Sequence, residues 1–360
     1  MKFIKRALIV AIVCAGLAGA VYFVGIPVGA AAFMPDEIKL SRAEIENRTA
    51  VKPHNFVSGV YEDAVFTADE TRTFIDFKLF GLIPIKRVIV DVMPYDRLYA
   101  GGVPVGFVAK TDGVVVLQDA KGYKRGDVIT RIDGATVTGV GDLQRHMKGR
   151  QIGTFVKDDT TGVGTLTYVN PQNNNFAALG HKIVDFETGA MVNLRSGDVY
   201  ACNVIGVEKS TKATVGTIES TLKKGTGGVQ GSVLSSNNNG VFGCLHADSK
   251  IAEMCTKLYP VASRYSVKLG KATILSCLDG ENIVEYDIVI QRAKYQRDKN
   301  GKGLIIKITD PRLIEKTGGI VHGMSGSPII QNGHIVGAVT HVMTGDVTRG
   351  YGIYVDFLVP

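Results

Sequence analysis

From about residue 151 to Pro360 the chain alternates short apolar segments with turns rich in Gly, Asn, Asp and Thr, and no long amphipathic helix interrupts them. Segments 164–169, 190–194, 199–207, 283–290, 303–309 and 329–340 each have the length and composition of a strand. Asn237-Asn238-Asn239-Gly240 and Asn332-Gly333 supply residues that accept the positive φ of tight hairpins. Regular short strands joined in this way close into a barrel or a sandwich. The reading is a mostly β chain, and 360 residues leave room for more than one domain.

The N-terminal part has a different character. Between Ala7 and Pro35 no residue is charged, a run that would span about 40 Å as a helix against a hydrocarbon core of about 30 Å. Lys2, Lys5 and Arg6 precede it, so the expectation is a transmembrane signal-anchor over residues 1–35 with everything after Asp36 outside the cytoplasm. A cleaved signal peptide ending near Ala30-Ala31-Ala32 is the competing reading, and both export the rest of the chain. Residues 36–85 read as a stalk with some strand content, in which Thr49-Ala50-Val51-Lys52 is a natural point of proteolytic release. The net charge of +7 is spread along the chain, and the basic run 292–302 is broken by Asp298, so no nucleic-acid footprint is present. Cys202, Cys244, Cys255 and Cys277 show neither C-x-x-C nor metal-ligand spacing. No metal and no cofactor is expected; two disulfides and four thiols both remain open.

Residues 86–150 read as a compact unit. The order runs from an apolar strand at 88–92 through Pro104-Val105-Gly106-Phe107 to Gly126-Asp127-Val128-Ile129-Thr130-Arg131-Ile132-Asp133-Gly134. A helix follows over 140–147, with Asp142 near its start and Gly149 after its end. This order resembles a PDZ domain. The resemblance implies that Val105, Gly106 and Phe107 receive a peptide terminus and that the following strand accepts the peptide as an added strand.

The chemistry concentrates in Gly323-Met324-Ser325-Gly326-Ser327-Pro328. A serine hydroxyl needs a base to take its proton and preorganised donors to meet the oxyanion. Glycines at 323 and 326 permit a tight turn that exposes Ser325 and aims the N–H groups of Gly323 and Ser325 at one point. The turn runs directly into the Asn332-Gly333 hairpin, and the whole resembles the nucleophile region of chymotrypsin-like serine peptidases. A double β-barrel peptidase domain over 151–360 follows from that resemblance. Five histidines lie in this part of the chain. His181, at the end of Phe176-Ala177-Ala178-Leu179-Gly180, leads as the base; His322 shares the turn of Ser325, and His246, His334 and His341 read as loop, turn and strand residues. Asp310, between a strand and Pro311, is the choice for the residue that orients the base, with Asp185, Asp198, Asp248 and Asp279 chemically possible.

Ala178-Leu179-Gly180-His181, Ile308-Thr309-Asp310 and the Ser325 hexapeptide together resemble the stage IV sporulation protein B family, membrane-tethered PDZ serine peptidases of spore-forming bacteria. The resemblance implies His181, Asp310 and Ser325 as catalytic triad. It further implies self-processing near the N-terminus, entry into the space between the forespore membranes, and cleavage of a membrane-bound regulator that signals between forespore and mother cell. A non-catalytic PDZ adaptor at the membrane and an envelope quality-control protease are the alternatives; the second usually carries PDZ after its protease domain, the reverse of the order here.

Overall fold

The computed structural model of the chain describes residues 34–48, 57–61, 72–79, 81–150, 152–185, 187–192, 194–223, 227–294 and 302–359, with the single positions 16, 19, 31, 51 and 225. Almost all of the anchor expected over 1–35 lies outside these residues. Among the described residues no helix is long and apolar enough to cross a membrane. The chain divides into two units, Met1–Pro94 and Tyr95–Pro360.

In the first unit β1 (Glu37–Leu40), β2 (Val57–Tyr61), β3 (Arg72–Leu79) and β4 (Ile83–Val92) form one sheet in the order β1-β4-β3-β2. Alternate residues Ile75, Phe77 and Leu79 on β3 and Val88 and Val90 on β4 are buried, as the period of two requires for a sheet with one covered face. β1 lies parallel to β4. It ends at Ser41, whose side chain caps α1 (Arg42–Glu46) in a reciprocal pairing with Glu44. The described residues of the expected stalk over 36–85 thus form most of a sheet, because apolar residues on its strands alternate and find a common face. Strand 88–92, expected to open the PDZ-like unit, is the end of β4. Of the suggested release point, only Val51 falls among the described residues, and it is fully buried.

The second unit begins with a barrel. Its strands are β5 (Pro104–Val116), β6 (Val156–Val169), β7 (Asn175–Ala178), β8 (Leu194–Glu208), β9 (Val229–Asn237) and β10 (Gly240–Leu245). The pairing runs β5-β6-β7-β10-β9-β8 and returns to β5, so no edge is left inside the ring. Val105, Phe107, Leu166, Phe176, Val199, Val233 and Val241 fill it. The turn expected at Asn237-Gly240 closes the β9–β10 hairpin.

The peptide-binding residues expected at Val105, Gly106 and Phe107 are a correction. They do not form a loop: they lie in β5, paired on one side with Gly164, Val163 and Gly162 of β6 and on the other with Ala201, Tyr200 and Val199 of β8. A strand bonded on both sides has no edge to offer a peptide. The Gly126–Gly134 turn and the helix do form a small satellite. There α2 (Val140–Met147), found at the expected bounds, packs through Leu143 against Val114, Val116, Ile129 and Val137. The start of β6 runs beside this module, where Val156 and Lys157 pair with Val116 and Val115.

The second barrel is closed by β11 (Gly270–Cys277), β12 (Ile283–Ala293), β13 (Leu304–Ile308), β14 (Pro328–Gln331), β15 (His334–Met343) and β16 (Asp346–Tyr354), in the order β11-β12-β13-β16-β15-β14. α3 (Pro311–Thr317) follows β13. Asn332 and Gly333, both at positive φ, make the β14–β15 hairpin. Two six-stranded barrels in tandem are the arrangement of chymotrypsin-like peptidases. The four described cysteines are all free thiols. Burial raises the pKa of Cys202 to about 11 and that of Cys255 to about 12, so neither is a ready thiolate.

Candidate active site

The turn carrying Ser325 is held by barrel one. Thr165 of β6 donates its amide to the Ser325 carbonyl at 2.8 Å and its hydroxyl to the Gly323 carbonyl at 2.6 Å. Thr167 donates its hydroxyl to the Gly326 carbonyl at 2.8 Å. Gly326 is required twice over: its φ is +99°, and a Cβ there would stand 1.9 Å from the Thr165 oxygen. Turning the carbonyls toward β6 leaves the N–H groups of Gly323 and Ser325 with no acceptor among the described residues, while the intervening Met324 N–H is spent on Val321. Two unpaired amides beside a serine can receive an oxyanion.

His181 reaches the same place from β7. Leu179 and Gly180 both take positive φ, and a Cβ on Gly180 would touch Thr340 and Val339 of β15 at 3.0 and 3.3 Å, so the loop lies directly on the strand that returns from the serine. The Nδ1 atom of His181 is 2.6 Å from the carbonyl of its neighbour Lys182. A carbonyl only accepts, so Nδ1 carries the proton and Nε2 keeps the lone pair a general base needs. Burial lowers the His181 pKa; the Lys182 carbonyl works against that, and nearby His322 adds to it.

After His181 the chain is clamped. Ile183–Val184 pairs with Met191–Val192, and between them lies the fully buried Asp185. Its carboxylate receives Lys157 Nζ at 2.8 Å, the Thr160 hydroxyl at 2.7 Å, and the Thr188 amide and hydroxyl at 2.9 and 2.8 Å. Burial alone would raise its pKa, but these donors more than offset it and hold the carboxyl at about 2.

Asp310, expected to orient the base, is engaged elsewhere in this structure. It caps α3, accepting the amides of Arg312 and Leu313, and receives the Asp287 amide at 3.1 Å and Arg312 Nη2 at 2.7 Å. Arg312 first, against the cost of burial, holds it at about 2. Both of its oxygens are engaged and His181 is not among the donors; the Nδ1 position that an orienting carboxylate would occupy is filled by the Lys182 carbonyl. A residue before a helix-starting proline has this capping role ready-made.

The structure adds His341, read from sequence as an ordinary strand residue. Its ring lies 4.7 Å from that of His181 between centroids, tilted by 35°. Ser325 directs its hydroxyl to the carbonyl of the preceding residue, Thr340, at 2.6 Å. The signal available in sequence was only a histidine on the strand returning from the nucleophile. Of the others, His334 Nδ1 is 2.9 Å from the Asn332 carbonyl in the hairpin turn, and the His246 amide bonds to the Gln230 carbonyl, away from this cluster.

The family model described as SpoIVB peptidase S55 matches residues 148–359, more than half of the chain. The chain belongs to the SpoIVB peptidase S55 family. It is a serine peptidase. No curated protein matches it. Among solved structures, the active form of the Rv3671c protease from M. tuberculosis is similar at 12% identity and a TM-score of 0.30, covering 71% of this chain and 78% of that one. The inactive form of the Rv3671c protease gives 13% and 0.28, covering 54% and 80%. Within this SpoIVB-family chain the matched segment takes in Ser325, His181 and five strands of the first barrel. The sixth strand, β5, lies upstream of it at Pro104–Val116.

Proposed function

We propose that this SpoIVB-family peptidase cleaves peptide bonds with Ser325 as nucleophile and His181 as general base. The Ser325 hydroxyl leaves the Thr340 carbonyl, gives its proton to His181 Nε2 and attacks the scissile carbonyl. The N–H groups of Gly323 and Ser325 bind the oxyanion, and the imidazolium returns its proton to the departing amine. Water then hydrolyses the acyl-enzyme by the same proton path. The observation that carries this reading is the pair of unspent amides flanking Met324 in the serine's own turn.

The finer reading is an exported, membrane-anchored enzyme that processes its own N-terminal region and cleaves a membrane-associated regulator in signalling between forespore and mother cell. Its support is the family membership together with the uncharged run 7–35 behind Lys2, Lys5 and Arg6. N-terminal sequencing of the protein recovered from sporulating cells, beside its Ser325→Ala variant, tests both parts. A shortened wild type and a full-length variant are expected. Identical N-termini would remove self-processing, and labelling of Ser325→Ala by a serine-directed phosphonate would remove the assignment of the nucleophile.

A further inference from the structure

Among the described residues no carboxylate bonds to His181; its ring meets the Lys182 carbonyl and, as a second neighbour, His341. We propose that His341 is a positioning residue for His181, the flat face of its imidazole holding the base in line with Ser325; this rests on the assignment of His181 above.

Three features carry it. The two ring centroids lie 4.7 Å apart with their planes tilted by 35°, within the 4.5–7 Å range of favourable aromatic pairs. His341 owes its placement to a β-bulge: on β15, Val339 pairs with Gly352 and His341 with Tyr351, so Thr340 is an extra residue against the partner strand. A bulge breaks the alternation of the strand and re-aims its side chains. Here it sends the Thr340 carbonyl to Ser325 and the next ring to His181. Finally, His341 Nδ1 is buried with no hydrogen-bond partner among the described residues. A buried polar atom left unpaired is unusual and costly, and it points to a ring placed by its packing rather than by a hydrogen bond at that atom.

A neutral ring on this face suits the reaction. When His181 takes the serine proton it becomes a cation, and the face of a neutral aromatic ring attracts a cation where a charged one would repel it. The groups bearing on His341 favour its neutral form: burial first, then His181 and Lys302, bring its pKa down to about 4. His181 in turn faces His341, His322 and the Lys182 carbonyl.

The test compares kcat and KM on one peptide substrate for the wild type, His181→Ala, His341→Ala, His341→Phe and His341→Gln, with thermal midpoints recorded for each. His341→Ala is expected to lower kcat about 10- to 100-fold with KM within about twofold, the pattern of a displaced base. His341→Phe, which keeps the flat face, should restore kcat to within about threefold, and the rate of phosphonate labelling at Ser325 should follow kcat. Wild-type kcat in folded His341→Ala, or equal loss in folded His341→Phe, would overturn the proposal. Should His341→Ala not fold, Phe and Gln decide: kcat retained in Phe and lost in Gln supports it, and equal values overturn it. Full activity in His181→Ala would instead remove the base itself, an outcome separable from a failure confined to His341.

Discussion

The Ser325 hydroxyl points at the carbonyl of Thr340, 2.6 Å away, while His181 has its own Nδ1 tied to the Lys182 carbonyl. The nucleophile must give up one neutral hydrogen bond, worth about 1 kcal/mol, before it can attack. Among the described residues no hydrogen bond joins Ser325 to His181; the two meet neighbouring residues of β15, Ser325 at Thr340 and His181 at His341. Ser325→Ala should therefore remove at least about 10³-fold of kcat while changing stability by no more than about 1 kcal/mol. Steady-state kinetics beside urea unfolding would show it, and a large drop in stability would contradict the account of the turn.

The acid limb of kcat/KM should lie below pH 6.5, the ordinary histidine value. The base works when neutral, and burial with His322 nearby makes His181 harder to protonate. Replacing His322 with Gln removes a like charge, raises the His181 pKa and should move that limb to higher pH. A pH profile that does not respond would separate His322 from the site.

Asp310→Asn tests the reassignment of that residue. The expected result is a stability loss of about 1–2 kcal/mol from the weakened cap and Arg312 pair, with the pH profile of kcat/KM unchanged. Loss of more than about 10³-fold of kcat in folded protein, with the acid limb displaced, would return Asp310 to the role of orienting the base.

Asp185→Ala leaves Lys157 beside an emptied buried position and should cost about 3 kcal/mol or more in urea unfolding. The sign of its pH dependence is fixed. Its folded pKa of about 2 lies below the unfolded value near 3.9, so its contribution is whole above pH 4 and fades as pH falls through 2. The wild type should lose stability over that interval, and Asp185→Ala should lose less.

Gly326→Ala should inactivate the enzyme. A methyl group 1.9 Å from the Thr165 oxygen and 2.6 Å from the Leu179 amide separates the serine turn from β6, and an added side chain at φ +99° is strained as well. Loss of labelling at Ser325 together with a lowered melting temperature is the expected result.

What was legible followed from local chemistry. The glycines around Ser325, the Asn332-Gly333 hairpin, helix 140–147 and most of the strands of 151–360 are written in neighbouring residues and present in the structure; the expected strand 190–194 is instead the short Met191–Val192 followed by the start of β8 at Leu194. The PDZ-like reading failed at Pro104–Phe107 because an apolar strand looks the same whether its partners are near or distant: β5 pairs with β8, some 90 residues later, and no local signal records that. Asp310 reads two ways because a strand-ending aspartate before proline suits a helix cap as well as an active site. His341 was missed because its direction depends on one extra residue in a pairing register, which sequence periodicity cannot show.

The two Thr165 contacts have a temporal consequence. The same residue that ties down the carbonyls of Gly323 and Ser325 accepts the Leu179 amide with its own carbonyl, two positions before His181. One backbone unit in the middle of β6 thus sets the spacing of base and nucleophile, although they lie more than 140 residues apart in the chain. Neither barrel alone contains a working site, and a chain still emerging or half folded has none. Any cut this peptidase makes in itself must come after the barrels have docked, so folding is the safeguard against premature proteolysis.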